Sequence, residues 1–146
     1  MITLLSVYKG KGVQPGAVDL LYEVLEERPA KANISHCEKP SHEKHEAFVM
    51  SRPYRAWYLV LNDDLQRVGA VYLTKQNEIG VAILKRYHRL GYALQALNKV
   101  RKISPLPGIS GQRNARYVAH VAANNEASKF LFAKAGGRLL SVTYVL

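Results

Sequence analysis

The sequence holds one cysteine, one tryptophan and two methionines in 146 residues. The lone thiol, Cys37, excludes a disulfide within the chain, so a disulfide-stapled architecture does not apply and a reducing compartment, the cytoplasm, is expected. Long apolar runs are missing as well. No stretch approaches the roughly 20 apolar residues that cross a bilayer, and MITLLSVYKGKG offers neither a basic leader nor a small-residue cleavage site. Neither a membrane partner nor a targeting segment is expected. What remains is ordinary: 48% apolar and 22% charged residues, in a chain long enough to bury a core without metal or disulfide support. The length predicts one domain over 1–146.

Acids are scarce, 11 against 21 Lys and Arg, for a net charge of +10. The imbalance is local. From Lys75 to Arg116 nine Lys or Arg face one acid, Glu78, whereas residues 17 to 46 hold seven acids and four bases. Such asymmetry fits an anionic partner near the basic segment, nucleic acid or a phosphorylated small molecule, with a merely solvated basic face as the plain alternative.

Periodicity gives a mixed α/β order. ITLLSVY reads as a strand, and apolar residues at 17, 20, 21, 24 and 25 make one helix face that Pro29 stops. SHEKHEAFVMS predicts a helix capped by Ser41 and ended by Pro53. AWYLVL, RVGAVYLTK and EIGVAIL predict an antiparallel meander with turns at Asn62-Asp63-Asp64 and Gln76-Asn77. Leu90, Ala93, Leu94, Leu97 and Val100 mark a helix beginning near Gly91. SPLPGISGQRN is a long Pro/Gly loop, ARYVAHVA a strand, NNEASKFLFAKAGG a capped helix with a glycine stop, and RLLSVTYVL a closing strand. That last strand has no following partner in the sequence, and pairing with another subunit would cover its edge, so a homodimer is expected.

The handover from EIGVAIL to the helix is where positive charge concentrates, at Lys85, Arg86, His88 and Arg89 beside Gly91. A helix N-terminus presents unpaired N–H groups and about half a positive charge, so it suits an anion. The stretch His88-Arg89-Leu90-Gly91-Tyr92-Ala93, and later Asn125-Glu126-Ala127-Ser128 with Phe132 and Lys134-Ala135-Gly136, together resemble the GNAT superfamily of acyl-CoA-dependent N-acyltransferases. The resemblance runs from about Trp57 to Tyr144, with His88 in place of the usual Gln or Arg and Gly137 in place of a phenylalanine.

That resemblance implies an α+β fold with a mostly antiparallel sheet, splayed central strands and flanking helices. It implies acetyl-CoA as co-substrate, its pantetheine lying along the sheet as an added strand and its diphosphate on the amides from Arg89 to Leu94. Cofactor contacts are then expected at Ile83, Leu84, Lys85, His88, Arg89, Leu90, Gly91, Tyr92, Ala93 and Leu94, and at Asn125, Ser128 and Phe132. Arg86 is expected to add charge, and Arg101 or Lys102 to reach the 3′-phosphate. Glu78 is the expected general base. The family's frequent acid, a tyrosine, aligns with Phe132, which cannot donate a proton; Tyr87, Tyr92 and Tyr117 are the substitutes in view. His36, His45, Tyr54 and Trp57 are expected on the acceptor side, with Phe48 beside them.

The function so implied is transfer of an acetyl group to the primary amine of a small molecule, an amino sugar among the choices. Acetylation of a protein or nucleic-acid amine, and a catalytically silent acyl-CoA-binding module, stay open. No metal is expected: His36, Cys37, His42 and His45 have no usual zinc spacing.

Overall fold

The computed structural model describes residues 1–28, 39–107 and 115–146. β1 (Thr3–Ser6) leads into a small hairpin, β2 (Tyr8–Lys9) and β3 (Gly12–Val13), which turns through Gly10 at φ 60°. The helix α1 (Ala17–Glu27) follows, burying Ala17, Leu20 and Leu21. α2 (His42–Met50) starts at Ser41, whose hydroxyl accepts the Lys44 N–H, a cap that stabilises a helix by about 1 kcal/mol. The main sheet is completed by β4 (Ala56–Leu61), β5 (Arg67–Leu73) and β6 (Ile79–Ile83). Its order is β1-β4-β5-β6, antiparallel throughout.

Side chains explain the two turns of the meander. Asn62 Oδ1 accepts the N–H groups of Asp64 and Gln66, folding the chain between β4 and β5. Between β5 and β6, Thr74 Oγ1 accepts the N–H groups of Gln76 and Glu78. The buried Asn77 exchanges two hydrogen bonds with Leu106, at 2.9 and 2.8 Å. This fastens the segment after the third helix to the turn that carries Glu78.

The sheet has a helix layer on each face. Leu97, Val100 and Ala96 of α3 (Tyr92–Val100) pack with Val71, Leu73 and Ile79 on one side. Leu20 and Leu21 of α1 and Val49 of α2 pack with Trp57, Leu59 and Ala70 on the other. α4 (Glu126–Lys134) begins at Asn125, whose side chain accepts the Ser128 N–H. It stops where Gly136, at φ 89°, donates to Ala133 O and Gly137 donates to Phe132 O. That is a Schellman cap, and a side chain at Gly136 would be strained there.

Two expected strands are corrected. ARYVAHVA makes a single parallel bridge, Val118 to Glu78, and RLLSVTYVL joins no ladder among the described residues. A strand requires a continuous neighbour; the chain beyond Val118 forms no ladder with β6, and the last segment forms none with either outer strand, β1 or β6. Leu139, Leu140, Val142, Tyr144, Val145 and Leu146 are left exposed. Among the described residues no helix is long and apolar enough to cross a membrane.

Candidate active site

The ladder register assigns every backbone group of β6 to a side. Thr74 N–H bonds to Glu78 O, and Leu84 N–H to Val68 O; residues with even numbers therefore face β5 and odd ones face away. On the outward edge Ile79 N–H reaches Val118 O at 2.8 Å, and Val118 N–H reaches Asn77 O at 2.9 Å. After that bridge the two segments part. Ile79 C=O, both groups of Val81 and the N–H of Ile83 have no partner among the described residues. The edge is open where an added strand would lie.

At the far end of β6 the chain makes a 3-10 turn over Lys85–Tyr87 and enters α3. His88 Nε2–H donates to Ile83 O at 2.7 Å, and its own N–H to Lys85 O. A glutamine or arginine is usual at this place in the resembling family; here the imidazole closes the turn. Arg89 and Gly91 are both left-handed, at φ 63° and 80°. The first helical bond is Gln95 N–H to Gly91 O, and the N–H groups from Arg89 to Leu94 have no acceptor among the described residues. Six free donors beside a left-handed residue and a helix start are an arrangement suited to an anion. Ala93 and Tyr92 are half-buried there, while Leu90 and Arg89 are exposed.

Around this turn some expected contacts hold different positions. Leu84 is fully buried in the α1 face and its N–H is used by Val68, so neither side chain nor amide can touch a cofactor. Lys85 gives its N–H to Glu27 Oε2 at 2.7 Å, and Arg86 pairs with Glu23 at 2.6 Å. Arg101 donates to Ala135 O at the end of α4, whereas Lys102, also exposed, has no side-chain partner among the described residues.

At the near end stands Glu78, with its carboxylate one-third exposed. Thr74 Oγ1 donates to Oε1 at 3.3 Å, and His120 Nε2–H donates to Oε2 at 3.0 Å. The sequence carries one signal for this pair, the alternation of His120 with Val118, which the Glu78–Val118 bridge turns into proximity. Glu78, His120 and Phe132 line one cleft of about 1290 Å³ between β6, the segment after Arg116, α4 and the last residues. Tyr117 donates its hydroxyl proton to Ile103 O at 2.8 Å, so that proton is committed. Tyr87 and Tyr92 meet edge to face at 6.4 Å beside the glycine turn, at the other end of β6.

Solved structures share this fold. Spermidine N-acetyltransferase from Vibrio cholerae, in complex with CoA and spermine, superposes with a TM-score of 0.69 over 99% of this chain and 88% of its own, at 15% identity. Mutant forms of the spermidine/spermine N-acetyltransferase SpeG from the same organism give 0.64 over 92% and 78%, at 17% identity. A candidate acetyltransferase from Bacillus subtilis, YycN, gives 0.61 over 100% and 98%, at 16% identity. The chain has a GNAT fold. No protein-family model and no curated protein matches its sequence.

In this GNAT fold the expected acceptor residues separate. His36 lies outside the described residues. Tyr54 stacks on Tyr72 with ring centroids 4.1 Å apart, and Trp57 meets Tyr54 edge-on at 4.7 Å. Burial pushes the Tyr54 hydroxyl far above its usual pKa, and the nearby Tyr72 adds to the shift, so it stays neutral. Tyr72 lies over Gly80, where an added Cβ would stand 2.1 Å from the ring. Only glycine fits that position. Phe48, 43% exposed, meets both Tyr54 and Trp57 edge-on.

His45 is corrected: it is buried between α1 and α2 against Tyr22, does not line the Glu78 cleft, and its Nε2 has no partner among the described residues. Burial, with His42 nearby, lowers its pKa below the ordinary 6.5. The unfolded chain then binds the proton more readily. His45 contributes stability above about pH 6.5 that is lost as pH falls through and below that value. Wild type is expected to lose more melting temperature than His45→Phe between about pH 7.5 and 5.5; equal losses in a thermal melt would contradict it.

Proposed function

We propose that this protein transfers an acetyl group from acetyl-CoA to the primary amine of a small molecule. The observation that carries the reading is the combination on one strand: an unpaired outward edge of β6, free amides from Arg89 to Leu94 at one end, and Glu78 paired with His120 at the other. Five strand residues span about 17 Å, a separation suited to a cofactor with a diphosphate at one terminus and a reactive group at the other. The neighbour named above with bound CoA supports this use of the fold.

The thioester supplies an activated acyl carbon; the chain supplies the rest. Glu78 removes a proton from the acceptor ammonium, directly or by way of His120, and so frees the nitrogen lone pair. Val81 N–H, the first unpaired donor on the edge beyond Glu78, is placed to polarise a carbonyl oxygen lying along the strand. The C–N bond forms and the C–S bond breaks. A thiol with a pKa of about 8.5 leaves without a strong acid, which is compatible with Phe132 in the place of a tyrosine.

Stacked and edge-on rings at Tyr54, Trp57 and Tyr72 favour a compact acceptor with flat apolar faces, an amino sugar among them, over an extended peptide. The reading includes a cytoplasmic setting, because of the lone thiol, and association of two copies through the apolar residues after Gly137. Acetyl-CoA is expected to raise the melting temperature, and a panel of amines to release free thiol from it. Stabilisation without thiol release from any amine would leave an acyl-CoA-binding module. Absence of stabilisation would overturn both.

A further inference from the structure

A second cavity, about 420 Å³, opens at the start of β4 and is lined by Tyr8, Arg52, Tyr54, Arg55 and Trp57 among others. Among the described residues it contains two guanidinium groups and no acid. Arg52 is held in place: it donates to Gly10 O at 2.7 Å and lies 4.3 Å over the Tyr8 ring. Arg55 differs. It is half-buried, its one hydrogen bond is a long one to Tyr117 Oη at 3.3 Å, and no carboxylate pairs with it among the described residues. A guanidinium carries five donors, and one partly removed from water without a counter-ion is a costly arrangement unless something else supplies the charge.

The place of Arg55 says which ligand that is. Ala56, its neighbour, stands opposite Leu73, and Leu73 opposite Ile79, so Arg55 lies at the same end of the sheet as Glu78. Both reach the same short segment, Arg55 at Tyr117 and Glu78 at His120. The glycine turn is about 17 Å away along β6, too far for Arg55 to serve a diphosphate held there. The surroundings agree in sign. The Glu78 cleft also carries Arg101, Arg116, Lys129 and Arg138, and Glu78 is its one acid. A polyamine, with several positive charges, would meet repulsion on entry.

We propose that the acceptor amine bears an oxyanion, a carboxylate or a phosphate, and that Arg55 binds it while the amine points to Glu78. This rests on the acetyl-transfer reading above. Arg55 is thereby a specificity residue, since a planar fork matches two oxygens of either anion.

The test pairs anionic amines with neutral counterparts: glucosamine 6-phosphate with glucosamine, and phenylalanine with phenylalaninamide. Spermidine is the cationic control. Calorimetric affinity and acetylation kinetics are measured on the full chain with acetyl-CoA. In wild type the anionic member of at least one pair is expected to bind about 10- to 100-fold tighter, the range for a hydrogen bond to a charged group. Which pair responds separates phosphate from carboxylate. Arg55→Met is expected to erase that preference through KM, leaving the neutral member and the acetyl-CoA stabilisation unchanged; Arg55→Lys keeps part of it. Equal affinities within both pairs, or spermidine as the best substrate, would overturn the proposal. Retained anion preference without acetylation of any amine would sink the transfer reading and leave the anion site standing.

Discussion

Glu78→Gln is expected to slow acetyl transfer by about 10²-fold or more while leaving acetyl-CoA affinity nearly unchanged, the loss associated with a missing general base. That factor corresponds to about 2.7 kcal/mol of barrier. Glutamine keeps the size of the side chain: its Oε1 can still accept from Thr74, and its amide N–H can donate to His120 Nε2 in the other tautomer, at the places where Oε1 and Oε2 now accept. What it cannot do is take up a proton. The defect should therefore shrink as pH rises toward the pKa of the acceptor amine, because more of the amine is then already neutral. A pH–rate profile of both proteins reads this directly. Turnover equal to wild type near neutral pH would remove Glu78 from the chemistry, and a defect constant with pH would assign it a positioning role.

Gly91→Val is expected to abolish stabilisation by acetyl-CoA. At 100 times its dissociation constant a ligand adds about 2.7 kcal/mol, or roughly 5–10 °C in a domain of this size. The cause is the backbone. A Cβ at Gly91 meets nothing closer than Gln95 Nε2 at 3.8 Å, so there is room, but the residue sits at φ 80°. A left-handed conformation costs an ordinary L residue about 1–2 kcal/mol, and valine, branched at Cβ, tolerates it least. Relaxing to negative φ would redirect the amides from Arg89 to Leu94. Thermal melts with and without acetyl-CoA separate the two losses. An unchanged ligand-dependent shift would mean that these amides do not hold the diphosphate.

Residues with an unambiguous local job were readable in advance. Ser41 and Asn125 cap the helices that they precede, Gly91 opens α3, and Gly136 closes α4. The apolar run AWYLVL coincides with β4. The β2–β3 hairpin escaped because two-residue strands carry no period. RLLSVTYVL was over-read for the opposite reason: alternation says what a segment can pair as, not that a ladder forms beside it. In the site, the charge around Gly91 was legible because it is contiguous in sequence. The meeting of Glu78 with His120, and of Arg55 with Tyr117, depends on tertiary register that no window contains. His45 looked like a ligand contact from its neighbours and proved to be a buried imidazole between two helices.

The pairing of β1 with β4 has a consequence for the order in which the molecule assembles. Leu73 and Ile79 meet across a short turn, but Ser6 and Tyr58 meet across about fifty positions. Loop closure makes the long connection costlier by about 2 kcal/mol, so the three-stranded meander is expected to form first and the N-terminal strand to dock onto it afterwards. The two cavities thus have different ages in folding. The open edge of β6 and the turn leading to it belong to the early meander, but the arginine cavity takes part of its wall from Ser6 and Tyr8. If the arginine cavity holds the acceptor as proposed, acceptor recognition is expected to be the last property acquired on folding and the first lost when the N-terminal strand detaches.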